Sequence, residues 1–270
     1  MADTDKLFAG SIPEIYDRLM VPMLFEPYAA DLAKRLAGLA PKTVLETAAG
    51  TGALTRAIAA ALGDDVRLVA TDLNQPMLDR ASAALELPQR ITLQQADALA
   101  LPFPDQSFDA VVCQFGAMFF PDRLAGYREA RRVLKPGGHF LFNVWDRIAE
   151  NKFANVVSQT LAKCFPDDPP TFMQRIPHGY FDIDLVRRDL TQAGFAAVEA
   201  ATVPSISKAA TAHDAAVAFC QGTPLRNEIA ARDTSRLDEV TTAVTDALEQ
   251  TFGSGAIRGP MRAHVFTAHR

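Results

Sequence analysis

Residues 43–56 read Thr-Val-Leu-Glu-Thr-Ala-Ala-Gly-Thr-Gly-Ala-Leu-Thr-Arg, and this stretch decides the fold. An apolar strand leads into a turn of small residues, and a helical pattern follows the turn. The small residues are Ala48, Ala49, Gly50 and Gly52, which allow a ligand to approach the backbone closely. The helix that follows offers unpaired backbone N–H groups in its first turn. The stretch therefore predicts a ligand-binding turn at the end of a buried strand.

The next apolar run, Arg-Leu-Val-Ala-Thr-Asp at residues 67–72, ends in an acid. The carboxylate of Asp72 can accept hydrogen bonds from both hydroxyls of a ribose. Dinucleotide oxidoreductases use the same device, so these two stretches leave two classes of enzyme open. The dinucleotide fingerprint G-x-G-x-x-G does not fit, because counting from Gly50 places Thr55 where the third glycine belongs.

Three further stretches follow the first two in order. Residues 91–98 predict a third strand that ends at Asp97, and residues 108–115 predict a fourth strand. Residues 129–142 predict a helix, a Lys-Pro-Gly-Gly turn and a fifth strand. In their order and spacing, these motifs over residues 43–146 resemble the S-adenosyl-L-methionine-dependent methyltransferases with a Rossmann-like fold.

The closer resemblance is to the ubiquinone/menaquinone-biosynthesis-like branch of that family, which contains small-molecule methyltransferases. It is carried by Glu-Ile-Tyr-Asp at residues 14–17, Phe-Pro-Asp-Gln-Ser-Phe-Asp at 103–109 and Arg-Val-Leu-Lys-Pro-Gly-Gly at 132–138. The resemblance implies that S-adenosyl-L-methionine is the cofactor and S-adenosyl-L-homocysteine the product. It identifies the cofactor better than it identifies the methyl acceptor.

The resemblance also implies a role for the residues on the adenosine side. Asp72 is expected to bind the ribose hydroxyls. Asp97 is expected to bind the adenine amino group, with a backbone contact from Ala98. Leu73 and Met77 are expected to sandwich the adenine, although the pattern fits Met77 equally well as a helix core residue.

A second group of residues is expected at the methionine end. Glu46 should lie near the amino group, often indirectly, and should accept backbone N–H or water hydrogen bonds because an unpaired buried carboxylate is costly. Ala48 stands where the family most often has glycine, and its methyl group would narrow the approach to the methionine part. Gln114 should face the methionine. Phe115–Phe120 should line the acceptor pocket, or in part be core. Tyr16 should fold over the cofactor, or pack between helices.

The predicted cofactor-binding set is Tyr16, Glu46, Ala48, Gly50, Gly52, Asp72, Leu73, Met77, Asp97, Ala98, Gln114 and Phe115. No catalytic residue is assigned, because a sulfonium methyl group is already activated and orientation alone is worth effective molarities of about 10⁵–10⁸ M. His178, in a proline-bounded insertion, is the hypothesis for a general base, against the alternative of a solvated loop histidine. No metal is expected, since no His/Cys cluster has ligand spacing.

Alternating strands and helices are typical of a parallel sheet with helices on both faces. The resemblance implies an α/β fold, a Rossmann-like three-layer sandwich whose mostly parallel seven-stranded sheet has the order 3-2-1-4-5-7-6. We expect one methyltransferase domain over residues 1–270, with its core at 40–146 and 183–270. N-terminal helices over 1–40 and an insertion over 147–182 are expected to form a cap, the insertion acting as a helical lid.

Composition excludes several classes of partner. The 270 residues carry a formal net charge of −5 without a dense Lys/Arg cluster, which argues against nucleic acid. Apolar runs stay shorter than the roughly 18 residues of a membrane span. The N-terminal residues 1–6 lack a signal peptide pattern, so a cytoplasmic location is expected. The oligomeric state is left open between monomer and homodimer.

The sequence is compatible with three functions. The main prediction is in-line transfer of a methyl group from S-adenosyl-L-methionine to a small, partly apolar molecule. The first alternative is an NAD(P)-dependent oxidoreductase, which would need the glycine that Thr55 replaces. The second alternative is a non-catalytic protein that binds S-adenosyl-L-methionine.

Overall fold

The computed structural model describes residues 5, 7–84 and 88–270. Residues 1–4 and 6, which belong to the segment inspected for a signal peptide, lie outside the described residues. So do residues 85–87, where the helix that the pattern predicts over 75–86 would end. Among the described residues, no helix has both the length and the apolar character that crossing a membrane requires.

The apolar runs form seven strands. They are β1 (Thr43–Glu46), β2 (Arg67–Asp72), β3 (Ile91–Gln95), β4 (Phe108–Gln114), β5 (Leu134–Trp145), β6 (Ala197–Ala209) and β7 (Ile257–His269). Their order in the sheet is β3-β2-β1-β4-β5-β7-β6. The first five strands pair in parallel. β7 runs antiparallel to β5, because Arg270 N–H bonds to Gly138 O at one end and Asp146 N–H to Arg262 O at the other. The predicted fold class is confirmed.

The helices occupy the segments between and around the strands. They are α1 (Ile12–Ile15), α2 (Glu26–Gly38), α3 (Ala53–Ala61), α4 (Gln75–Ala84), α5 (Arg123–Val133), α6 (Lys152–Cys164), α7 (Phe172–Arg175), α8 (Ile183–Gln192), α9 (Ala212–Gln221), α10 (Leu225–Arg232) and α11 (Leu237–Phe252). A π-helical segment, Tyr16–Phe25, joins α1 to α2 and contains Pro22, which cannot donate a backbone hydrogen bond.

The chain divides into two compact units. The first comprises Met1–Phe25, Trp145–Gly179 and Pro204–Arg262, and the second comprises Glu26–Val144, Tyr180–Val203 and Ala263–Arg270. The first unit is mainly helical, with α11 packed against α6 and α9. It contains much of the predicted cap together with 204–262, which the sequence placed in the core. The single domain therefore stays a prediction.

The second unit has three layers. Val44, Leu68 and Val112 on one face of the sheet belong to a buried cluster with residues of α2 and α3. On the opposite face, the Tyr127 ring of α5 lies 5.5 Å from the ring of Phe142, centroid to centroid. Side chains alternate between the two faces of a strand, so apolar residues at successive positions serve both layers.

Two strand boundaries and one helix differ from what the sequence patterns predict. The Lys-Pro-Gly-Gly segment 135–138 is a bulge inside β5 rather than a turn before it, because Phe108 pairs with Leu134 while Ala110 pairs with His139. β6 continues to Ala209, although the apolar pattern predicts an end at 203. The helix α10 was not predicted, because its polar and apolar residues lack a helical period.

Candidate cofactor-binding site

The turn after β1 has three residues in the left-handed region of backbone space. Their φ angles are 53° at Ala48, 59° at Gly50 and 84° at Gly52. Glycine adopts this conformation freely, whereas a residue with a β-carbon loses roughly 1–2 kcal/mol. Gly52 directly precedes α3, so the turn ends at a helix N-terminus. This geometry places a turn of small residues at the carboxyl end of β1.

Asp72, the last residue of β2, is 7% exposed and holds the turn in place. Its Oδ2 accepts a hydrogen bond from Gly50 N at 2.9 Å, and its Oδ1 accepts one from Asn74 N at 2.8 Å. Burial raises the pKa of this carboxyl, and the hydrogen bonds from Asn74 and Gly50 oppose that effect. Asn74 Nδ2 also donates to Oδ1 at 3.4 Å. A carboxylate offers about four lone-pair sites, so Oδ2 keeps capacity for a ribose hydroxyl.

Glu46, the last residue of β1, is buried beneath the turn. The Thr55 hydroxyl of α3 donates a hydrogen bond to its Oε2 at 2.7 Å. Burial raises the pKa of Glu46 to about 8, and the nearby Asp72 carboxylate acts in the same direction. Thr55 also gives Glu46 a backbone hydrogen bond, which is the kind of partner expected from the sequence, and its side-chain hydroxyl adds a second one.

The adenine-side residues are only partly brought together. Leu73 is 43% exposed, whereas Met77 in α4 is buried. The Met77 Cε lies 3.7 Å from the position of a β-carbon built at Gly50, which places it against the turn. Asp97 and the adjoining Ala98 lie in the loop after β3, where the exposed Asp97 carboxylate accepts a hydrogen bond from Leu99 N at 2.9 Å.

At the other end of the site, β4 ends at Gln114 and the chain turns sharply. Phe115 has a φ of 52°, and its N–H donates to Oδ1 of Asn143 at 2.9 Å. A β-carbon built at Gly116 would overlap the β-carbon of Ala48. The methyl group of Ala48 is therefore directed at the end of β4, a position that the sequence did not predict.

The stretch 115–120 is largely core. Met118 and Phe120 are buried, and a β-carbon built at Gly126 would lie 2.6 Å from Cδ2 of Phe120. The Phe115 ring is also buried and packs edge-on against Tyr28, with ring centroids 5.4 Å apart. Phe119 keeps part of its surface exposed.

Two residues singled out in the sequence belong to the first unit. The Tyr16 ring stacks on Phe25, with centroids 5.1 Å apart, and its contact with a cofactor stays a prediction. His178 is buried rather than solvated, so the solvated-loop alternative is wrong, and its Nδ1 lies 2.8 Å from Asp146 O. Burial lowers the pKa of His178 to about 4, which keeps the imidazole neutral at pH 7.

Three residues that support the site were missed as partners. In the sequence, Thr55 stands out only because it occupies the place of the third glycine of the dinucleotide fingerprint. Asn74 follows Asp72 by two positions, the spacing of an Asx turn, which is a signal that could have identified it. Asn143 gives no local signal, because its partner is set by the pairing of β4 with β5.

The chain is similar in sequence to known proteins. Residues 45–142 match the methyltransferase domain family Methyltransf_11. The chain is 30% identical over 205 residues to a demethylmenaquinone methyltransferase of Lactococcus lactis, covering 70% of this chain and 81% of the relative. It is 40% identical over 103 residues to a ubiquinone/menaquinone biosynthesis C-methyltransferase of Enterobacter, a match that spans 37% of this chain but only 41% of that relative's length.

A solved structure supports the same fold. It is a phosphoethanolamine N-methyltransferase of Haemonchus contortus in complex with S-adenosyl-L-methionine, with a TM-score of 0.58 and 16% identity. The alignment covers 96% of this chain and 56% of that one. At this level of identity, the likeness concerns the fold alone.

The chain belongs to the S-adenosyl-L-methionine-dependent methyltransferases, in the branch of the ubiquinone/menaquinone biosynthesis enzymes. It is thus an enzyme that uses S-adenosyl-L-methionine, and the alternatives of a nicotinamide-dependent oxidoreductase and a non-catalytic binding protein are set aside. The geometry fits that cofactor, because the Asp72 carboxylate lies beside a turn that carries no side chain at Gly50 and Gly52.

Proposed function

We propose that the enzyme methylates a small, partly apolar acceptor, and that a reduced quinone ring is the first class of acceptor to test. The observation that carries this proposal is the similarity to the demethylmenaquinone methyltransferase of Lactococcus lactis, which extends over most of that relative. The net charge of −5 supports a small molecule over nucleic acid, because phosphate recognition needs clustered cations.

When bound, S-adenosyl-L-methionine supplies a methyl group on a positively charged sulfur and is left as S-adenosyl-L-homocysteine. The residues of the chain have to bind and orient the cofactor and the acceptor, and they have to exclude water. Asp72 would hold the ribose hydroxyls, while the turn at Gly50 and Gly52 gives the backbone close approach. Gln114, at the end of β4, would border the methionine part. Fixing donor and acceptor in line then supplies most of the rate enhancement.

Apolar side chains around the end of β4 support an acceptor with an apolar body. Phe115 is held in an unusual backbone conformation, and Phe119 keeps exposed surface beside the buried Met118. Ligand sites for small molecules are mostly apolar, with a few placed polar groups. An electron-rich quinol ring needs little activation as a nucleophile, so the proposal assigns no general base.

The test is methyl transfer to 1,4-dihydroxynaphthalene, a reduced naphthoquinone without a side chain. Enzyme and methyl-labelled S-adenosyl-L-methionine are incubated with the diol under anaerobic, reducing conditions, and labelled product is identified by mass spectrometry. We expect a C-methylated diol with the wild type and none with Asp72→Ala. Binding of S-adenosyl-L-homocysteine without any methylated diol would contradict the proposed acceptor class and leave the cofactor assignment standing.

A further inference from the structure

The cofactor residues of the second unit share one face of the sheet. Glu46 pairs with Ala70 of β2 on one side and with Val112 of β4 on the other. Side chains two positions apart on a strand point to the same face, so Asp72 and Gln114 lie on the face of Glu46. This is the face against which α3 packs, as the bond from Thr55 to Glu46 requires.

Asp72, Glu46 and Gln114 form a row of side chains on this face, and Asn143 of the neighbouring strand β5 adds a fourth. It pairs in register with Gln114, so its side chain emerges on the same face of β5. The row thus runs from Asp72 through Glu46 and Gln114 to Asn143, across four neighbouring strands. At a strand spacing of about 4.8 Å, Asn143 lies about 14 Å from Asp72 across the sheet. The two ends of the row are therefore far enough apart to contact different molecules of a reacting pair.

The oxygen and the nitrogen of the Asn143 side chain differ in their hydrogen bonding. Its Oδ1 accepts the hydrogen bond from Phe115 N, which fixes which end of the amide is oxygen. Its Nδ2 is then directed away from Phe115. Asn143 is 0% exposed, and within the described part of the chain no atom accepts a hydrogen bond from Nδ2. An unsatisfied buried donor costs about 1–3 kcal/mol, which a ligand oxygen would recover.

Charge along the row limits what that ligand can be. Asp72 and Glu46 are both acids, and Asn143 and Gln114 are uncharged. A neutral amide donor suits a neutral oxygen better than a carboxylate or phosphate here, because the row contains no cation that would pair with an anion. A ring hydroxyl or carbonyl has this property.

We propose that Asn143 determines acceptor specificity by donating a hydrogen bond from Nδ2 to a neutral hydroxyl or carbonyl oxygen of the methyl acceptor. The inference rests on the proposed function, since it concerns the acceptor of that reaction. It gives Asn143 a double role, because the same amide holds Phe115 through Oδ1 and the substrate through Nδ2.

The first test observes the amide itself. Protein labelled with ¹⁵N-asparagine gives side-chain NH₂ signals from Asn74, Asn143, Asn151, Asn155 and Asn227. The Asn143 pair is identified by its loss in Asn143→Asp. S-adenosyl-L-homocysteine is added first and 1,4-dihydroxynaphthalene second. We expect the Asn143 pair to shift at the second addition. A shift completed by S-adenosyl-L-homocysteine alone, or no shift while the diol binds, would overturn the proposal.

The second test uses affinity. Asn143→Asp keeps an oxygen for Phe115 N–H but loses the donor when ionised. We expect unchanged affinity for S-adenosyl-L-homocysteine and about tenfold weaker binding of the diol at high pH. Binding should recover as pH falls, because a protonated carboxyl can donate again. Equal diol affinity at every pH would contradict the proposal.

A matched variant separates this effect from general damage. Asn151→Asp makes the same change at another buried asparagine, whose Nδ2 already bonds to Asp146 O at 3.2 Å and whose Oδ1 accepts from Arg262 N at 3.1 Å. It should lower stability without selectively weakening the diol. If the wild type with bound S-adenosyl-L-homocysteine does not bind the diol, the acceptor class and this inference both fail, while the cofactor site stands.

Discussion

The methyl group of Ala48 faces Gly116 so closely that a β-carbon at Gly116 would overlap it and would lie 2.8 Å from Sγ of Cys113. This contact joins the turn after β1 to the end of β4. Ala48 occupies a left-handed backbone conformation that glycine adopts more readily. Gly116 has no side chain, and this leaves room for the methyl group of Ala48.

Gly116→Ala is expected to lower the free energy of unfolding by about 1–3 kcal/mol, because overpacking displaces Ala48 and Cys113. Ala48→Gly should relieve part of this loss in the double variant, since it removes the nearer contact. Urea denaturation of the wild type, both single variants and the double variant gives the coupling energy. Additive effects would show that the two residues do not meet.

The raised pKa of Glu46 predicts a pH-dependent stability. Between pH 4.5 and 8, folded Glu46 keeps a proton that the unfolded chain has lost. The free energy of unfolding should therefore fall as pH rises, by up to about 1.4 kcal/mol per pH unit. Glu46→Gln should flatten this slope. Because His178 acts with the opposite sign between pH 4 and 6.5, denaturation is compared from pH 6.5 to 8. Equal slopes in both proteins would refute the assignment.

The hydroxyl of Thr55 is predicted to stabilise the buried Glu46 carboxyl. Thr55→Val keeps the size of the side chain and removes the donor, so unfolding free energy should fall by about 1–3 kcal/mol above pH 7. Thr55→Ser keeps a hydroxyl and serves as the control. Thermal and urea denaturation of both variants measure the effect. A loss as large in the serine variant would attribute it to packing instead.

Cofactor binding is predicted to release a proton. The family resemblance implies that Glu46 lies near the cationic amino group of the methionine part, often indirectly, and a nearby cation favours the ionised carboxylate. Titration of S-adenosyl-L-homocysteine at pH 7 should give a heat that depends on the ionisation enthalpy of the buffer. Affinity should rise between pH 6 and 8. Glu46→Gln should abolish both dependences, and buffer-independent heats in the wild type would contradict the prediction.

The strands and turns of the central fold can be predicted from the sequence because the signals for them are local. The turn at Gly50 and Gly52 and the acid at Asp72 each follow directly from an apolar strand, so their positions at the strand ends can be predicted. The strand order came from the family resemblance, since nothing local determines which strands are neighbours.

The remaining features depend on neighbours distant in the chain. The contact of Ala48 with Gly116 and the bond of Phe115 to Asn143 need the pairing of β1, β4 and β5. The burial of His178 similarly depends on Asp146, far away in sequence. No periodicity within one segment contains that information, which explains why these residues were assigned other roles or none.

The most direct measurement is calorimetric titration of the wild type and Asp72→Ala with S-adenosyl-L-homocysteine, with NAD as the control ligand. Asp72 would accept charge-assisted hydrogen bonding from the ribose and also holds the turn through Gly50 N, so its removal should weaken binding about 100-fold or more. The account predicts binding of S-adenosyl-L-homocysteine by the wild type, its loss in the variant and no heat with NAD. Binding of NAD, or equal affinity of wild type and variant for S-adenosyl-L-homocysteine, would contradict it.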